Sequence, residues 1–120
     1  EPDGYNINLE CGSTSLGALR KAVLEQQADI GIALDGDADR VLFIDDQGEE
    51  IDGDQVLYLL ALFDQENGTL GGGVVGTSMS NLALELAFEA SDIEFQRAAV
   101  GDRYVLEKLH QNSWLLGGET

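Results

Sequence analysis

Residues 35–40, with the sequence DGDADR, carry the clearest capacity for chemistry in this chain. Three carboxylates occupy alternate positions, separated only by glycine and alanine, so they converge if the backbone curls around one point. Carboxylates gathered in a partly buried loop need a counter-ion, and a hard divalent cation with oxygen ligands meets that need. The pattern predicts a Mg²⁺ site formed by Asp35, Asp37 and Asp39, with open coordination positions for water or a phosphate.

Arg40 follows the third carboxylate directly and offers a planar fork that matches phosphate geometry. The alternative without a function is an acidic turn whose carboxylates are solvated. Three aspartates, two small spacers and an arginine between apolar segments make this alternative weaker than a cation site. An EF-hand calcium loop would need glycine and glutamate at its sixth and twelfth positions, where this chain has Arg40 and Asp46. The motif therefore indicates a cation site next to a phosphate.

The segments around this motif alternate between strand and helix patterns. Hydrophobic spacing predicts helices over residues 15–27, 54–65, 80–90 and 102–111. Short apolar runs predict strands over residues 28–34, 41–44, 74–77, 95–100 and 114–116. This alternation is typical of an α/β fold with a mixed, largely parallel sheet covered by helices.

Charge and composition limit the partners. The 120 residues carry a formal net charge of −17, and residues 35–66 alone contribute −10. Such acidity argues against nucleic acid and anionic membranes as partners. A single cysteine allows no intramolecular disulfide, which fits a cytoplasmic location.

Several segments together resemble the α-D-phosphohexomutase family, whose members move a phosphoryl group between the 6- and 1-positions of a hexose. The DGDADR loop resembles the metal loop of that family. The other matching segments are NIN at 6–8, CGST at 11–14, DGDQ at 52–55, MSN at 79–81, VGDRYV at 100–105 and GGE at 117–119. Among family members, NIN, CGST and VGDRYV favour those that act on glucosamine phosphate over those that act on mannose or glucose phosphate.

The resemblance implies roles for particular residues. It implies that a phosphoserine in a preceding domain gives its phosphoryl group to a small-molecule sugar phosphate. Mg²⁺ would be held by that phosphoserine and by the three loop aspartates, with Arg40 as a catalytic residue beside the transferring phosphate. Glu119 would bind sugar hydroxyls, and Arg103 would bind substrate or cap its own helix. The full-length enzyme would be cytoplasmic and could form a homodimer.

The same resemblance implies that this chain is a piece of a larger enzyme. Residues 1–93 are expected to be the remainder of the second family domain, incomplete at its start, and residues 94–120 the beginning of the third. The chain alone is expected to be inactive and to bind Mg²⁺ weakly, because the serine loop is missing. Two alternatives stay open: a family member acting on glucose or mannose phosphate, and a non-catalytic module that binds a divalent cation.

Overall fold

The computed structural model describes residues 3–120, so the first two residues of the expected 1–93 domain lie outside the described part. The elements, in chain order, are α1 (Gly17–Gln26), β1 (Ile30–Leu34), β2 (Val41–Asp45), β3 (Glu50–Ile51), α2 (Gly53–Asn67), β4 (Val74–Thr77), α3 (Leu82–Ala90), β5 (Phe95–Ala98), α4 (Asp102–Asn112) and β6 (Leu116–Gly117). Helices and strands alternate much as the hydrophobic spacing predicts. No helix within residues 3–120 is long and apolar enough to cross a membrane.

Contacts between Cα atoms divide the chain into two compact units, one ending at Asp52 and the other spanning Gly53–Thr120. The domain boundary expected after residue 93 falls inside the second unit. The physical reason is strand pairing: β4 and β5 lie side by side in one parallel sheet, with Val74 opposite Phe95. A boundary between those two strands would cut the ladder that holds the sheet together.

The first unit contains an antiparallel sheet in the order β1-β2-β3. Leu34 pairs with Val41, so the 35–40 segment is the hairpin loop between β1 and β2. Six residues are too few for the crossover that parallel strands require, and the pairing is therefore antiparallel. Helix α1 covers one face of the sheet through the buried Val23. This side chain packs directly over Gly31, where an added Cβ would lie only 2.7 Å from Cγ2 of Val23.

The second unit contains a parallel sheet in the order β5-β4-β6. All four residues of the central strand β4 are buried. On one face, Val74 packs in a core with residues of α2 and α3, including Leu57, Ala61, Leu84 and Phe88. Because crossovers between parallel strands are almost always right-handed, α4 is expected on the other face. Val105 of α4 packs against Gly117 of β6. The chain thus combines antiparallel and parallel sheets covered by helices, which confirms the mixed α/β class.

Some element boundaries differ from the sequence expectation because local contacts decide them. Helix α1 begins at Gly17 without a side-chain cap, although serine and threonine residues precede it. Helix α3 begins at Leu82, because the Asn81 side chain accepts a hydrogen bond from the Ala83 N–H. Strand β3 has only two residues, which is too short for an alternating hydrophobic pattern that would predict it from the sequence.

The run of glycines before β4 has a packing role that its sequence does not reveal. The sequence suggests a flexible lead into the strand. In the structure, a Cβ on Gly73 would lie 2.6 Å from Cη2 of Trp114 and would also meet the Glu94 carbonyl oxygen. Glycine is therefore required because an indole ring and a backbone approach this point closely.

Candidate functional site

The 35–40 loop closes on itself between β1 and β2. The Ala38 N–H donates to the Asp35 carbonyl at 3.1 Å, and the Asp35 N–H donates to the Arg40 carbonyl at 3.3 Å. A Cβ on Gly36 would lie 2.9 Å from Cδ1 of Ile7, an exposed side chain that would have to shift. The curl expected from the spacing of the aspartates is therefore present.

The three loop carboxylates come together. Asp35, Asp37 and Asp39 each offer one oxygen, and these oxygens all lie within 4.8 Å of one another. Asp35 is buried, whereas Asp37 and Asp39 are exposed. Three carboxylate oxygens in one place, with two of them open to solvent, form a donor set that suits a hard divalent cation with further positions for water or phosphate oxygens.

Arg40 orients the buried carboxylate. Its Nε donates to Oδ2 of Asp35 at 2.7 Å, and its backbone N–H donates to Oδ1 of the same residue at 3.2 Å. The Arg40 side chain is 67% exposed while that of Asp35 is only 3% exposed. Arg40 therefore fixes the orientation of the Asp35 carboxylate, and its own guanidinium stays accessible to an anion.

The electrostatics of the loop follow from this pairing. Burial by itself raises the pKa of Asp35, but hydrogen bonds from the Arg40 side chain and backbone outweigh it, so the pKa lies below its usual value. The pKa of Asp39 is raised by its hydrogen bond with Asp35 and by the charges of Asp35 and Asp37. Hydrogen bonding to Asp35 and that residue's negative charge raise the pKa of Arg40. One arginine thus does not offset the mutual repulsion of three carboxylates, and a bound cation would.

Ala38 stands in the left-handed backbone region, with φ of 58°. This conformation costs an L-residue with a Cβ about 1–2 kcal/mol, and glycine is largely spared that cost. Ala38→Gly should therefore raise the free energy of unfolding by about 1 kcal/mol. Thermal unfolding of the full-length protein measures it. Ala18→Gly in α1 is the matched control and should lower the free energy of unfolding by about 1 kcal/mol. An equal loss of stability in both variants would contradict backbone strain at Ala38.

An open cavity of about 590 Å³ lies beside the loop in the first unit. Asp35 and Gly36 line it together with residues from the preceding segment, including Asn8, Cys11 and Gly12. Its volume is in the range of small-molecule sites, which are commonly about 300–1,000 Å³. The 35–40 loop therefore borders a space large enough for a ligand.

In the second unit, Glu119 lies just beyond the carboxyl end of β6. The chain leaves β4 toward β5 on one side and returns through α4 to β6 on the other side. The carboxyl ends of β4 and β6 are therefore the point where the connections diverge, the usual ligand-binding position in open α/β sheets. The Gly101 N–H donates to Oε1 of Glu119 at 2.8 Å.

Arg103 is directed elsewhere. Its Nε donates to Oε1 of Glu107 at 3.0 Å, one helical turn along α4, and its guanidinium carbon lies 5.9 Å from the centre of the Tyr104 ring. The structure thus brings Asp35, Asp37, Asp39 and Arg40 together. Arg103 interacts with its own helix, while Glu119 contacts the residue that precedes that helix.

Three groups around the end of β4 have no role predicted from the sequence: the 77–81 loop, Asp54 and Arg97. Asp54 is buried at 5% exposure, and Arg97 bonds to backbone carbonyls of the loop. The local signals are the segments MSN at 79–81 and DGDQ at 52–55, which carry part of the family resemblance without indicating a role. The partners of Asp54 and Arg97 are distant in sequence, so spacing could not reveal them.

Comparisons with known proteins identify the family of the chain. The family model described as "Phosphoglucomutase/phosphomannomutase, alpha/beta/alpha domain III" matches residues 52–120. "Phosphoglucosamine mutase" of Marinobacter nauticus is 61% identical over 99% of this chain and 27% of that protein. The protein of the same name from Thioalkalivibrio sulfidiphilus is 62% identical over 100% of this chain and 27% of its own length.

A solved phosphoglucomutase/phosphomannomutase family protein from Burkholderia thailandensis superposes with a TM-score of 0.75 at 26% identity, covering 87% of this chain and 22% of that one. The chain spans about a quarter of the length of the curated relatives it matches. The family model covers more than half of the residues, and its match begins at residue 52, one residue before the second compact unit. The chain belongs to the phosphoglucomutase/phosphomannomutase family.

Proposed function

We propose that this chain is the cation-holding part of a phosphoglucosamine mutase. The full-length protein would interconvert glucosamine 6-phosphate and glucosamine 1-phosphate through a phosphoserine enzyme and a 1,6-bisphosphate intermediate. Identity of about 60% to relatives with that name supports the substrate. The observation that carries the chemistry is the group of three aspartate oxygens within 4.8 Å of one another.

The loop residues have distinct proposed roles. Asp35, Asp37 and Asp39 would hold Mg²⁺, because hard oxygen donors and remaining open positions suit that ion. Bound there, the ion would neutralise charge on the phosphoryl group during transfer. Arg40 is the proposed catalytic residue: its exposed guanidinium would bind oxygens of the same group while its Nε keeps Asp35 in place.

The second unit would bind the sugar. The Glu119 carboxylate can accept hydrogen bonds from two adjacent hydroxyls of the sugar, and the hydrogen bond from the Gly101 N–H fixes the orientation of this side chain. Arg103 is proposed as a substrate contact: its guanidinium would release Glu107 and donate to a phosphate oxygen of the substrate instead. In the larger protein, we assign the residues before Asp52 to the second family domain and the remainder to the third. The domain III family model begins at residue 52, and the second compact unit begins at Gly53.

The substrate is tested by assaying the full-length protein with glucosamine 6-phosphate, mannose 6-phosphate and glucose 6-phosphate under the same conditions. We expect kcat/KM for the amino sugar to exceed both others by about a hundredfold or more. Equal or better turnover of mannose or glucose phosphate would favour the second candidate, a phosphomannomutase or phosphoglucomutase. The description of the matching family model supports that alternative.

A non-catalytic cation-binding module is the remaining alternative, and calorimetry on the 120-residue chain separates it from the mutase. The mutase account expects weak Mg²⁺ binding, because the phosphoserine ligand belongs to another segment. Tight binding of Mg²⁺ or Ca²⁺ by the chain alone would favour the module.

We also propose that the full-length protein is a cytoplasmic enzyme that supplies amino sugar for cell-wall precursors. We propose further that it forms a homodimer, and sedimentation of the full-length protein tests this assembly.

A further inference from the structure

The 77–81 loop follows the central strand β4 and lies at the same edge of the sheet as Glu119. Thr77 and Ser80 are buried, whereas Ser78 and Met79 are exposed. Hydrogen bonds within the loop fix its shape: the Thr77 N–H donates to Oγ of Ser80 at 3.1 Å, and the Met79 N–H donates to Oγ1 of Thr77 at 3.2 Å. An exposed hydroxyl is thus presented from a fixed backbone at the edge where ligands of such sheets bind.

Arg97, on the neighbouring strand β5, fixes this loop from one side. Its Nη1 donates to the Thr77 carbonyl at 3.0 Å and to the Ser80 carbonyl at 2.7 Å. Its Nε and Nη2 both donate to Oε2 of Glu85, at 3.0 and 2.8 Å. The guanidinium therefore joins β5, α3 and the loop, and Glu85 balances its charge.

Asp54, in the first turn of α2, fixes the loop from the other side. Its Oδ2 accepts a hydrogen bond from the Asn81 N–H at 2.6 Å. Its Oδ1 is buried and has no hydrogen-bond partner among the residues that the structure describes. Burying a carboxylate with one oxygen unpaired costs stability. An apolar residue would avoid this cost but could not fix the Asn81 backbone.

We propose that Arg97 and Asp54 are positioning residues for substrate binding. They hold the 77–81 loop in the shape in which the Ser78 hydroxyl contacts the sugar phosphate beside Glu119. This inference rests on the proposed function, because it takes the sugar phosphate as the ligand of this edge. Neither residue touches the substrate; each acts through the backbone of the loop.

The test compares the full-length wild type with Arg97→Lys. Lysine keeps the charge, but its single ammonium cannot reproduce the planar fork that reaches Glu85 and both carbonyls together. We expect KM for glucosamine 6-phosphate to rise by about tenfold or more while kcat stays within about threefold, because ground-state contacts are lost. Hydrogen exchange at the Met79 and Asn81 amides should accelerate. Lys21→Met, which breaks an exposed pair with Glu25, is the control and should change neither quantity.

A second pair of variants keeps the test independent of folding. Asp54→Asn retains an acceptor for the Asn81 N–H and should keep KM close to the wild-type value, whereas Asp54→Ala should raise it. Accelerated exchange in Arg97→Lys with an unchanged KM would overturn the inference alone. A wild-type protein with no activity on any sugar phosphate would instead overturn the proposed function.

Discussion

Asp37→Asn in the full-length protein should lower the turnover of glucosamine 6-phosphate by about a thousandfold while the fold stays intact. Asp37 is exposed, so the change removes a charged ligand without disturbing packing. Phosphoryl transfer depends on positioning and charge neutralisation, and losing one such electrostatic contact commonly costs about 10²–10³ in rate. The rate at saturating substrate measures the loss, and thermal unfolding checks the fold.

Asp46→Asn is the matched control for this variant. Asp46 is an exposed acid in the turn between β2 and β3, so it loses the same charge in the same unit. It should retain wild-type turnover and the wild-type requirement for Mg²⁺. Raising the Mg²⁺ concentration should recover part of the Asp37→Asn activity, because the remaining two carboxylates still bind the ion. Near-wild-type turnover of Asp37→Asn at low Mg²⁺ would refute its role as a ligand.

Arg40→Gln should separate activity from cation affinity. Turnover is expected to fall by about a hundredfold, because a cationic contact to the transferring phosphate is lost. Cation affinity is expected to rise by about tenfold, because removal of the guanidinium eliminates a like charge and frees Oδ2 of Asp35. Calorimetric Mg²⁺ titration of the full-length protein and steady-state kinetics measure the two effects.

Arg20→Gln in the exposed part of α1 controls for the change in net charge and should alter neither quantity. The opposite signs expected for Arg40→Gln distinguish its role from general damage, since a disordered loop would lose both activity and cation binding. A fall in cation affinity would mean that Arg40 mainly supports the loop.

The convergence of Asp35, Asp37 and Asp39 is easier to predict from the sequence than the contacts around it, because the three residues are close together in the chain. Three aspartates within five residues converge through a single hairpin loop, and both strands of that hairpin have clear apolar patterns. The antiparallel direction follows from the length of the loop once its strands are known to pair. The strained residue is harder to find from the sequence, because the positive φ occurs at Ala38 and not at the glycine of the loop.

Long-range contacts in the second unit could not be predicted in this way. Asp54 meets the Asn81 backbone across 27 residues, and Arg97 meets Thr77 across 20 residues. Such contacts depend on where the ends of helices and strands meet in space, which hydrophobic periodicity does not encode. The packing of Trp114 against Gly72 and Gly73 is a further example, because the glycine run resembles a linker in sequence.

The charge of the chain also has a clearer meaning once the loop is described. Residues 35–66 carry −10 of the total −17. Three of their aspartates converge in the 35–40 loop. Asp45 stabilises the next turn by accepting hydrogen bonds from the Gln47 and Glu49 N–H groups at 2.9 and 2.8 Å. The acidity thus combines a candidate cation site with carboxylates that shape or solvate a turn.

The central claim is that the 35–40 loop holds the cation that supports phosphoryl transfer between the two positions of a sugar phosphate. Its most direct test is the rate of glucosamine 6-phosphate conversion by the full-length protein after removal of divalent ions with a chelator, followed by Mg²⁺ titration. The account predicts loss of activity on chelation, full recovery with Mg²⁺, and a requirement for much higher Mg²⁺ in Asp37→Asn. Undiminished conversion in the metal-free protein, or identical Mg²⁺ titrations for wild type and Asp37→Asn, would contradict it.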